Sequence, residues 1–494
     1  MAQRRKRTAT PASRNTGFVL CAIQLLATAG LGFALLRLNI LPMGFFIAIL
    51  SVLAIVWLIL FVKQGIASNK AVVGKVISVL ISIILVAGIY YVHQGNDALR
   101  AFAGGGVTTM VENVVVAVRT DDPAETLQDA AHYNFGVQYA TGADSTVDAI
   151  AAINNALGAA ITKTEYPSLF EQVHGLLSGE VQAIIYNEAF GNILEEIHPG
   201  FLDEIRVIAL EQIVTEVEGM AADIEVTDET FAIFISGIDA FGVIENGLSD
   251  VNMLMLVNPT THQILLVNTP RDYYIPFPGI TGGRRDKLTH AGIYGVHTSM
   301  AALEELYGID IPFYVRVNFT AFINVIDALG GIDVYSAHAF TTRYGRVPVS
   351  RGWNQFNGHQ ALEFSRERFS LPDGDLDRGA NAQAVITAIL RRAMSPAILT
   401  GATTILNSIA SDMDTNMTIE QIQELIRTQL SDGPSWNIKS MAADGTFSSS
   451  TTTFSMPGPS LFVIIPDQAS VDLVREQIAA LQRGEILVDS EVLQ

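Results

Sequence analysis

Cysteine is nearly absent from this chain: Cys21 is the only one in 494 residues. Acidic side chains are missing altogether from residues 1–94, which carry nine Lys and Arg: Arg4, Arg5, Lys6, Arg7, Arg14, Arg37, Lys63, Lys70 and Lys75. Charged residues are scarce overall, at 16%. The first scarcity argues against a disulfide-stapled scaffold, which small secreted domains need and domains with large cores do not. It suits a bacterial surface protein better than a eukaryotic secreted one. The low charged fraction argues against a wholly disordered chain. The missing acids leave 21 basic and 50 acidic groups after residue 94, a net charge of −29 there. That acidic bulk argues against binding nucleic acid through a broad basic surface. A mean hydropathy of +0.33 beside an overall charge of −20 argues against an ordinary cytosolic enzyme. Two physical regimes are joined near residue 94.

Three uncharged apolar runs occupy the first regime, at residues 18–36, 40–62 and 76–92, with 19, 23 and 17 residues. A helix needs about 20 apolar residues to cross a hydrocarbon core of roughly 30 Å, so the first two qualify and the third is short. Tyr90 and Tyr91 at the end of the third suit a membrane interface. The first run is too long for a signal-peptide core and lacks a small-residue cleavage pattern, so it reads as an anchor. Basic residues flanking short loops stay cytoplasmic. The amino tail and the second loop (Lys63, Lys70, Lys75) are basic, whereas the first loop offers only Arg37. The expectation is a multi-pass protein of the cell membrane, amino terminus cytoplasmic and residues 95–494 extracellular.

The remainder divides into a flexible connector (95–110), an α/β accessory domain (111–225), a larger α/β module (226–484, core 231–392) and a tail (485–494). In the accessory domain the run Val114–Val118 is continuously apolar, as in buried parallel strands. Residues 135–139 and 181–186 are further strands, and 145–160 and 168–177 helices. The pattern resembles half of a type-2 periplasmic solute-binding fold, with no convergent polar set to identify a ligand, and reads as a spacer or interaction domain. In the larger module, strands at 231–236, 251–257, 263–268 and 313–317 alternate with helices at 296–306 and 319–329. Alternation of this kind predicts an α/β/α sandwich. Beyond residue 401 follow a helix (419–430), a Ser/Thr-rich loop (447–454), a strand (461–465) and a last helix (471–481).

Charges stand at the ends of these apolar strands. Arg271 follows Val267-Asn-Thr-Pro, and Arg366 and Arg368 lie two apart in Phe364-Ser-Arg-Glu-Arg-Phe369. If that stretch is extended, both guanidiniums point to one side and Glu367 to the other. Paired forks of this kind suit a pyrophosphate. Asp239, Asp250, Asp375 and Asp377 supply hard oxygens, and carboxylates beside phosphate-binding arginines are what magnesium-assisted phosphoryl transfer requires. Asp373-Gly-Asp-Leu-Asp377 lacks the glutamate of an EF-hand loop.

Seven ordered blocks carry a resemblance: Ser249-Asp-Val-Asn-Met253, Asn268-Thr-Pro-Arg-Asp272, Asp286-Lys-Leu-Thr-His-Ala-Gly292, Tyr314-Val-Arg-Val-Asn-Phe319, Leu329-Gly-Gly-Ile-Asp-Val334, Asn357-Gly-His-Gln-Ala-Leu362 and Phe364-Ser-Arg-Glu-Arg368. Together they resemble the catalytic domain of the LytR-CpsA-Psr family, with three spans and an extra domain as in its CpsA-like branch. The resemblance implies a Mg²⁺-dependent phosphotransferase. Its expected partners are the membrane, a polyprenyl-pyrophosphate-linked anionic glycopolymer such as teichoic acid or capsule, and peptidoglycan, to which the polymer is attached. It implies metal ligands Asp239 and Asp250, catalytic residues Arg271, Arg366, Arg368 and Asp375, and substrate contacts at Arg378 and Gln383. Leu248 stands where the family often has an arginine, and Arg284, Arg285 or Lys287 are candidates to make that phosphate contact.

A donor with a polyprenyl tail stays in the bilayer, so a tethered enzyme gains effective concentration. An apolar channel beside the arginines is expected, with residues 313–329 as candidates. Asp375 is the first candidate for the base that deprotonates a sugar hydroxyl, and His290 the second. Arg271→Ala and Arg366→Ala are expected to abolish transfer without unfolding the domain. Three other functions use the same features: a transcriptional attenuator, a scaffold that holds lipid-linked polymer, and a pyrophosphatase with water as acceptor. The acidic exported part argues against direct nucleic-acid contact.

Overall fold

The computed structural model describes residues 11–66, 71–103, 108–140, 143–217, 222–238, 247–395, 413–433 and 435–487. Three helices, Pro11–Leu38, Met43–Ile66 and Ala71–Phe102, begin the chain. Each contains a stretch long and apolar enough to cross a membrane. With 28, 24 and 32 residues they are roughly 36–48 Å long, against a hydrocarbon core of about 30 Å. Polar atoms tie them together: Trp57 Nε1 donates to the Cys21 carbonyl at 2.8 Å, and Ser78 Oγ to Gln24 Oε1 at 2.7 Å. The third helix corrects the expected connector, since residues 95–102 are helical. Asp97 pairs with His93 one turn earlier at 3.5 Å, and Leu99 is buried. Residues 104–107 of that connector, residues 488–494 of the tail and the basic residues Arg4, Arg5, Lys6, Arg7 and Lys70 lie outside the described residues.

A five-stranded sheet follows. Its central pairing joins Thr108–Arg119 to Ala183–Asn187 on one side and Ile205–Val217 on the other, both antiparallel. Asn134–Gln138 and Thr162–Tyr166 complete it in parallel. The run Val114–Val118 is therefore buried but not in parallel pairing. Val115 and Ala117 pack into one hydrophobic cluster, and Val114, Val116 and Val118 into another on the opposite face. An apolar run records burial of both faces, and that burial is compatible with either pairing direction.

The second sheet has six strands. From one edge to the other these are Met413–Thr415, Phe313–Val317, Phe231–Ile238, Ser249–Asn258, Gln263–Thr269 and Asn437–Ala442. Phe231–Ile238 runs parallel to Phe313–Val317, and Gln263–Thr269 parallel to Asn437–Ala442. Ser249–Asn258 runs antiparallel between the two pairs, so the four others just named point the same way. Alternate residues go to opposite faces. Phe234, Leu254, Leu265 and Val267 meet helices Val296–Tyr307 and Gln468–Gln482. Phe231, Ile233, Met253 and Leu266 meet helices Asp375–Ala393 and Ile419–Asp432. The module is the expected α/β/α sandwich.

A third cluster packs helices Phe319–Ala328 and Gly358–Arg366 against a small sheet, Ile332–Ser336 with Gly352–Phe356. The Ser/Thr-rich stretch expected as a loop is in part a strand, Gly445–Ser450, paired with Leu461–Pro466. On the membrane side, Arg427 Nη1 donates to Asn39 Oδ1 at 3.2 Å, in the link between the first two helices. The edge strand Met413–Thr415 packs beside the third helix.

Candidate functional site

The four like-directed strands of the six-stranded sheet end at one edge, the usual place for a ligand in open α/β sheets. Asp250 is the second residue of Ser249–Asn258, and Arg271 follows Gln263–Thr269 across Pro270. Arg271 Nη1 donates to Asp250 Oδ1 at 2.7 Å. Arg378, in the first turn of helix Asp375–Ala393, donates through Nη2 to Asp250 Oδ2 at 3.1 Å and through Nη1 to Asp375 Oδ1 at 3.3 Å. On the other flank, Asp272 lies 3.7 Å from Arg271 Nε and 2.7 Å from Lys287 Nζ. Charges thus alternate along one row: Lys287, Asp272, Arg271, Asp250, Arg378, Asp375.

The row explains how charge is tolerated at depth, since buried ions persist only when paired. Burial pushes the Asp250 carboxyl up, but the Arg271 and Arg378 guanidiniums outweigh it and hold the group below the usual carboxylate range. Burial also opposes the Arg271 cation, and Asp250 and Asp272 overcome it. Close packing makes the geometry possible. A Cβ on Gly379 would stand 2.4 Å from Asn268 Nδ2, so glycine lets the helix start sit against the strand, with Arg378 beside Asp250, without displacing the Asn268 amide.

Arg366 and Arg368 join this row by a different route from the extended stretch expected. Helix Gly358–Arg366, started by a capping box between Asn357 and Gln360, carries Arg366 as its last residue. Glu367 then turns the chain, with φ −69° and ψ 132°. Glu367 also points inward. Its oxygens accept from the backbone N–H groups of Arg343, Arg368, Phe369 and Ser370 at 2.5–3.0 Å. Burial raises its carboxyl, and these four N–H groups outweigh burial and lower it. The resulting polar cavity, about 180 Å³, is lined by Asp250, Arg271, Arg366, Arg368 and Arg378, with Tyr344 and Phe369 at its rim.

An apolar cavity of about 270 Å³ adjoins it, lined by Val315, Val317, Phe319, Phe322, Val325 and Ile386 among others. Both cavities include Asp250, Arg366 and Arg378 in their walls. The Arg366 guanidinium stands 4.1 Å from the centre of the Phe319 ring, so the boundary between the two runs through that contact.

A model of the LytR_cpsA_psr family matches residues 208–467, more than half of the chain. The chain belongs to that family. It is 34% identical over 206 residues to the polyisoprenyl-teichoic acid–peptidoglycan teichoic acid transferase TagU of Oceanobacillus iheyensis, covering 40% of this chain and 62% of that protein. The TagU of Enterococcus faecalis is 30% identical over 205 residues, covering 40% and 65%. The chain thus spans less than two thirds of the length of these curated relatives. Among solved structures, Bacillus subtilis TagV matches with TM-score 0.45 and 23% identity over 53% of this chain and 99% of that one. TagT bound to LIIa-WTA matches with 0.44 and 23%, over 53% and 94%.

Within this LytR_cpsA_psr module several expected site residues stand elsewhere. Gln383 is buried and donates to the carbonyls of Leu266 and Met441 at 3.3 and 2.6 Å, bridging two strands instead of facing a cavity. Lys287 is buried behind Asp272, at the far end of the row and out of the polar cavity. His290 is fully buried with Nδ1 2.8 Å from Asp286 Oδ1. Ser455 donates to the other oxygen of Asp286 through its N–H at 2.8 Å and Oγ at 2.5 Å. His290 and Asp286 are both fully buried and cannot reach a sugar hydroxyl, which removes His290 as a base. Leu248 packs against the cluster of the five-stranded unit. Arg284 covers the Phe454 ring at 4.3 Å, and Arg285 is exposed, so neither replaces an arginine at position 248 in the polar cavity.

Asp239 lies outside the described residues. Among the described residues no group of three or more His, Cys, Asp or Glu is arranged for a metal. Asp250 and Asp375, however, line one small cavity together with Asn268 and Thr269. Two carboxylates fit Mg²⁺, which takes one or two protein carboxylates beside phosphate oxygens; the Thr269 hydroxyl is not among its donors, being bonded to Tyr307 Oη at 2.8 Å. Sequence reading missed Asp272 and Glu367. Asp272 is adjacent to Arg271 in a quoted block, but its partner Lys287 is brought to it only by the fold.

Proposed function

We propose that the polar cavity binds the pyrophosphate of a polyprenyl-linked anionic glycopolymer and that the module transfers the polymer phosphate to peptidoglycan outside the cell membrane. The meeting of an apolar and an arginine-lined cavity on Arg366 and Arg378 carries this reading: an amphipathic donor needs both, side by side. Met413, in the edge strand beside the third helix, also lines the apolar cavity, which suits a tail arriving from the bilayer. The TagU relatives are named for this donor class and this acceptor.

In the proposed reaction the acceptor oxygen bonds to the phosphorus that carries the polymer. The bond from that phosphorus to the bridging oxygen breaks, and polyprenyl phosphate leaves with the electron pair. Arg271, Arg366, Arg368 and Arg378 hold the phosphate oxygens and offset the growing charge on the leaving group. Asp375, paired with Arg378, takes the hydroxyl proton. Mg²⁺, held by Asp250 with Asp375 beside it, would supply further neutralisation of the pyrophosphate.

The test uses the full chain in lipid nanodiscs with a labelled polyprenyl-pyrophosphate polymer, Mg²⁺ and peptidoglycan oligomers. A covalent polymer–glycan product is expected. Polymer released only to water would make the protein a pyrophosphatase, and bound but unconverted donor would make it a scaffold.

A further inference from the structure

A second cluster of chemically distinctive side chains lies at the far end of helix Asp375–Ala393. Arg378 and Arg391 are about 20 Å apart along that helix at 1.5 Å per residue. The small sheet beside it pairs Tyr335 directly with Trp353, and Asp333 with Gln355. Strand alternation buries Ile332, Val334 and Phe356 and turns those four outward. The two rings meet edge to face at 5.7 Å, yet Tyr335 remains 52% and Trp353 65% exposed. Beside Trp353 a shallow surface cavity of about 540 Å³ is lined by Asp333, Arg391, Arg392 and Ser395. Arg392 is braced by its Nε donating to the Leu329 carbonyl at 3.0 Å.

A cross-strand aromatic pair stabilises a sheet modestly, and that role needs neither exposed ring faces nor arginines beside them. We propose that this face binds a glycan strand of N-acylated hexosamines. Sugar rings present flat C–H faces that stack on Tyr335 and Trp353. Their hydroxyls donate to Asp333 and Gln355, and their acyl carbonyls accept from Arg391 and Arg392. Exposed Trp and Tyr also populate membrane interfaces. Here the contacts with the apolar helices come from the Met413–Thr415 strand and Arg427, on other elements of the module. The choice of an N-acylated sugar rests on peptidoglycan being the acceptor proposed above, and the two readings fail separately because binding is measured without turnover.

The experiment places the full chain in nanodiscs in a Trp57→Phe, Trp436→Phe background, leaving Trp353 as the sole indole, and titrates it with chitotetraose. The expected result is a saturable change in Trp353 emission, weakened about tenfold in affinity by Tyr335→Ala. Calorimetry with Trp353→Ala in the otherwise native chain gives an independent reading, with the same loss expected. No emission change, or unchanged affinity in both variants, would overturn the proposal. So would quenching of Trp353 by brominated lipid, which would assign the face to the membrane. A wild-type chain that binds chitotetraose but forms no transfer product would sink the arginine-site reading and leave this one standing.

Discussion

The two sheets are built alike and differ in where they keep charge. In the five-stranded unit the described ion pairs are superficial: Arg119 with Asp121 at 3.0 Å, Lys163 with Glu165 at 3.0 Å and His198 with Glu204 at 3.2 Å, all at least a third exposed. In the six-stranded module the row from Lys287 to Asp375 is largely buried and each ion depends on its neighbours. Exposed pairs contribute little, and buried pairs are rarely the cheapest way to stabilise a core. A row of buried charge in one sheet, and none among the described residues of its neighbour, therefore marks a site. The largest expected effect follows from breaking it. Arg271→Ala should abolish transfer and also cost about 3–5 kcal/mol, because Asp250 and Asp272 lose a buried partner. The sequence-level expectation that this variant stays folded is revised accordingly. Arg119→Ala in the other sheet should leave both stability and transfer near wild type by urea unfolding and product assay.

Arg366→Ala separates chemistry from folding more cleanly. Its guanidinium lies over Phe319 at the border of the two cavities, a contact worth about 0.5–1 kcal/mol at an exposed site. Transfer should fall at least about 100-fold, as when a donor to a developing oxyanion is removed, with the urea midpoint nearly unchanged. A near-normal rate would remove Arg366 from the site.

Acid should distinguish the sheets next. Asp250 and Glu367 titrate below their ordinary values in the folded state, so the unfolded chain binds more protons as pH falls. Their stabilisation is complete above the unfolded values of about 4 and is lost as pH drops through the lower folded values. Asp121 and Asp129 are lowered too, but as fully exposed groups they are screened. Hydrogen exchange measured from pH 6 to about 3 should show protection of the six-stranded sheet lost first. Asp250→Asn should flatten that dependence; an unaltered profile would show that the row does not control it.

How much of this was legible depended on distance along the chain. Burial of both sheet faces, the layered architecture and Arg271 at a strand end follow from local patterns. The two-residue spacing of Arg366 and Arg368 suits an extended stretch, but Asn357-Gly-His-Gln360 is a capping-box start signal, and the helix it begins delivers Arg366. Pairing across the fold was illegible, since no local pattern sets Lys287 against Asp272 or Asp250 against two arginines. Gln383 shows the converse error. The family resemblance implied substrate contact there, but Gln172 in the five-stranded unit does the same thing, donating to the Gly136 and Ile185 carbonyls at 2.9 and 2.8 Å. A buried glutamine amide that ties a helix to two strands is a shared element of construction. Gln172→Ala and Gln383→Ala should each cost about 1–3 kcal/mol by leaving carbonyls unpaired. KM for the lipid donor should move in neither; a raised KM in Gln383→Ala alone would return that residue to the site.

The smallest and most discriminating comparison uses two glycines at which a helix crosses its sheet. A Cβ at Gly175 would stand 2.1 Å from Tyr166 Oη, and one at Gly379 would stand 2.4 Å from Asn268 Nδ2. In both cases the obstacle is the end of a side chain, which can swing aside, so each alanine should cost no more than about 1–3 kcal/mol. What the two displacements disturb differs. Movement at Gly175 shifts a helix that carries no member of the ion row. Movement at Gly379 shifts Arg378, the adjacent residue, away from Asp250 by a fraction of an ångström, and catalytic geometry tolerates such misplacement poorly. Equal losses of stability with transfer impaired only in Gly379→Ala would establish that the helix approach exists to place Arg378. Equal transfer in both variants would mean that the pocket accommodates the shift and that the ion row, with its partners on three separate elements, holds Arg378 without help from the packing beneath it.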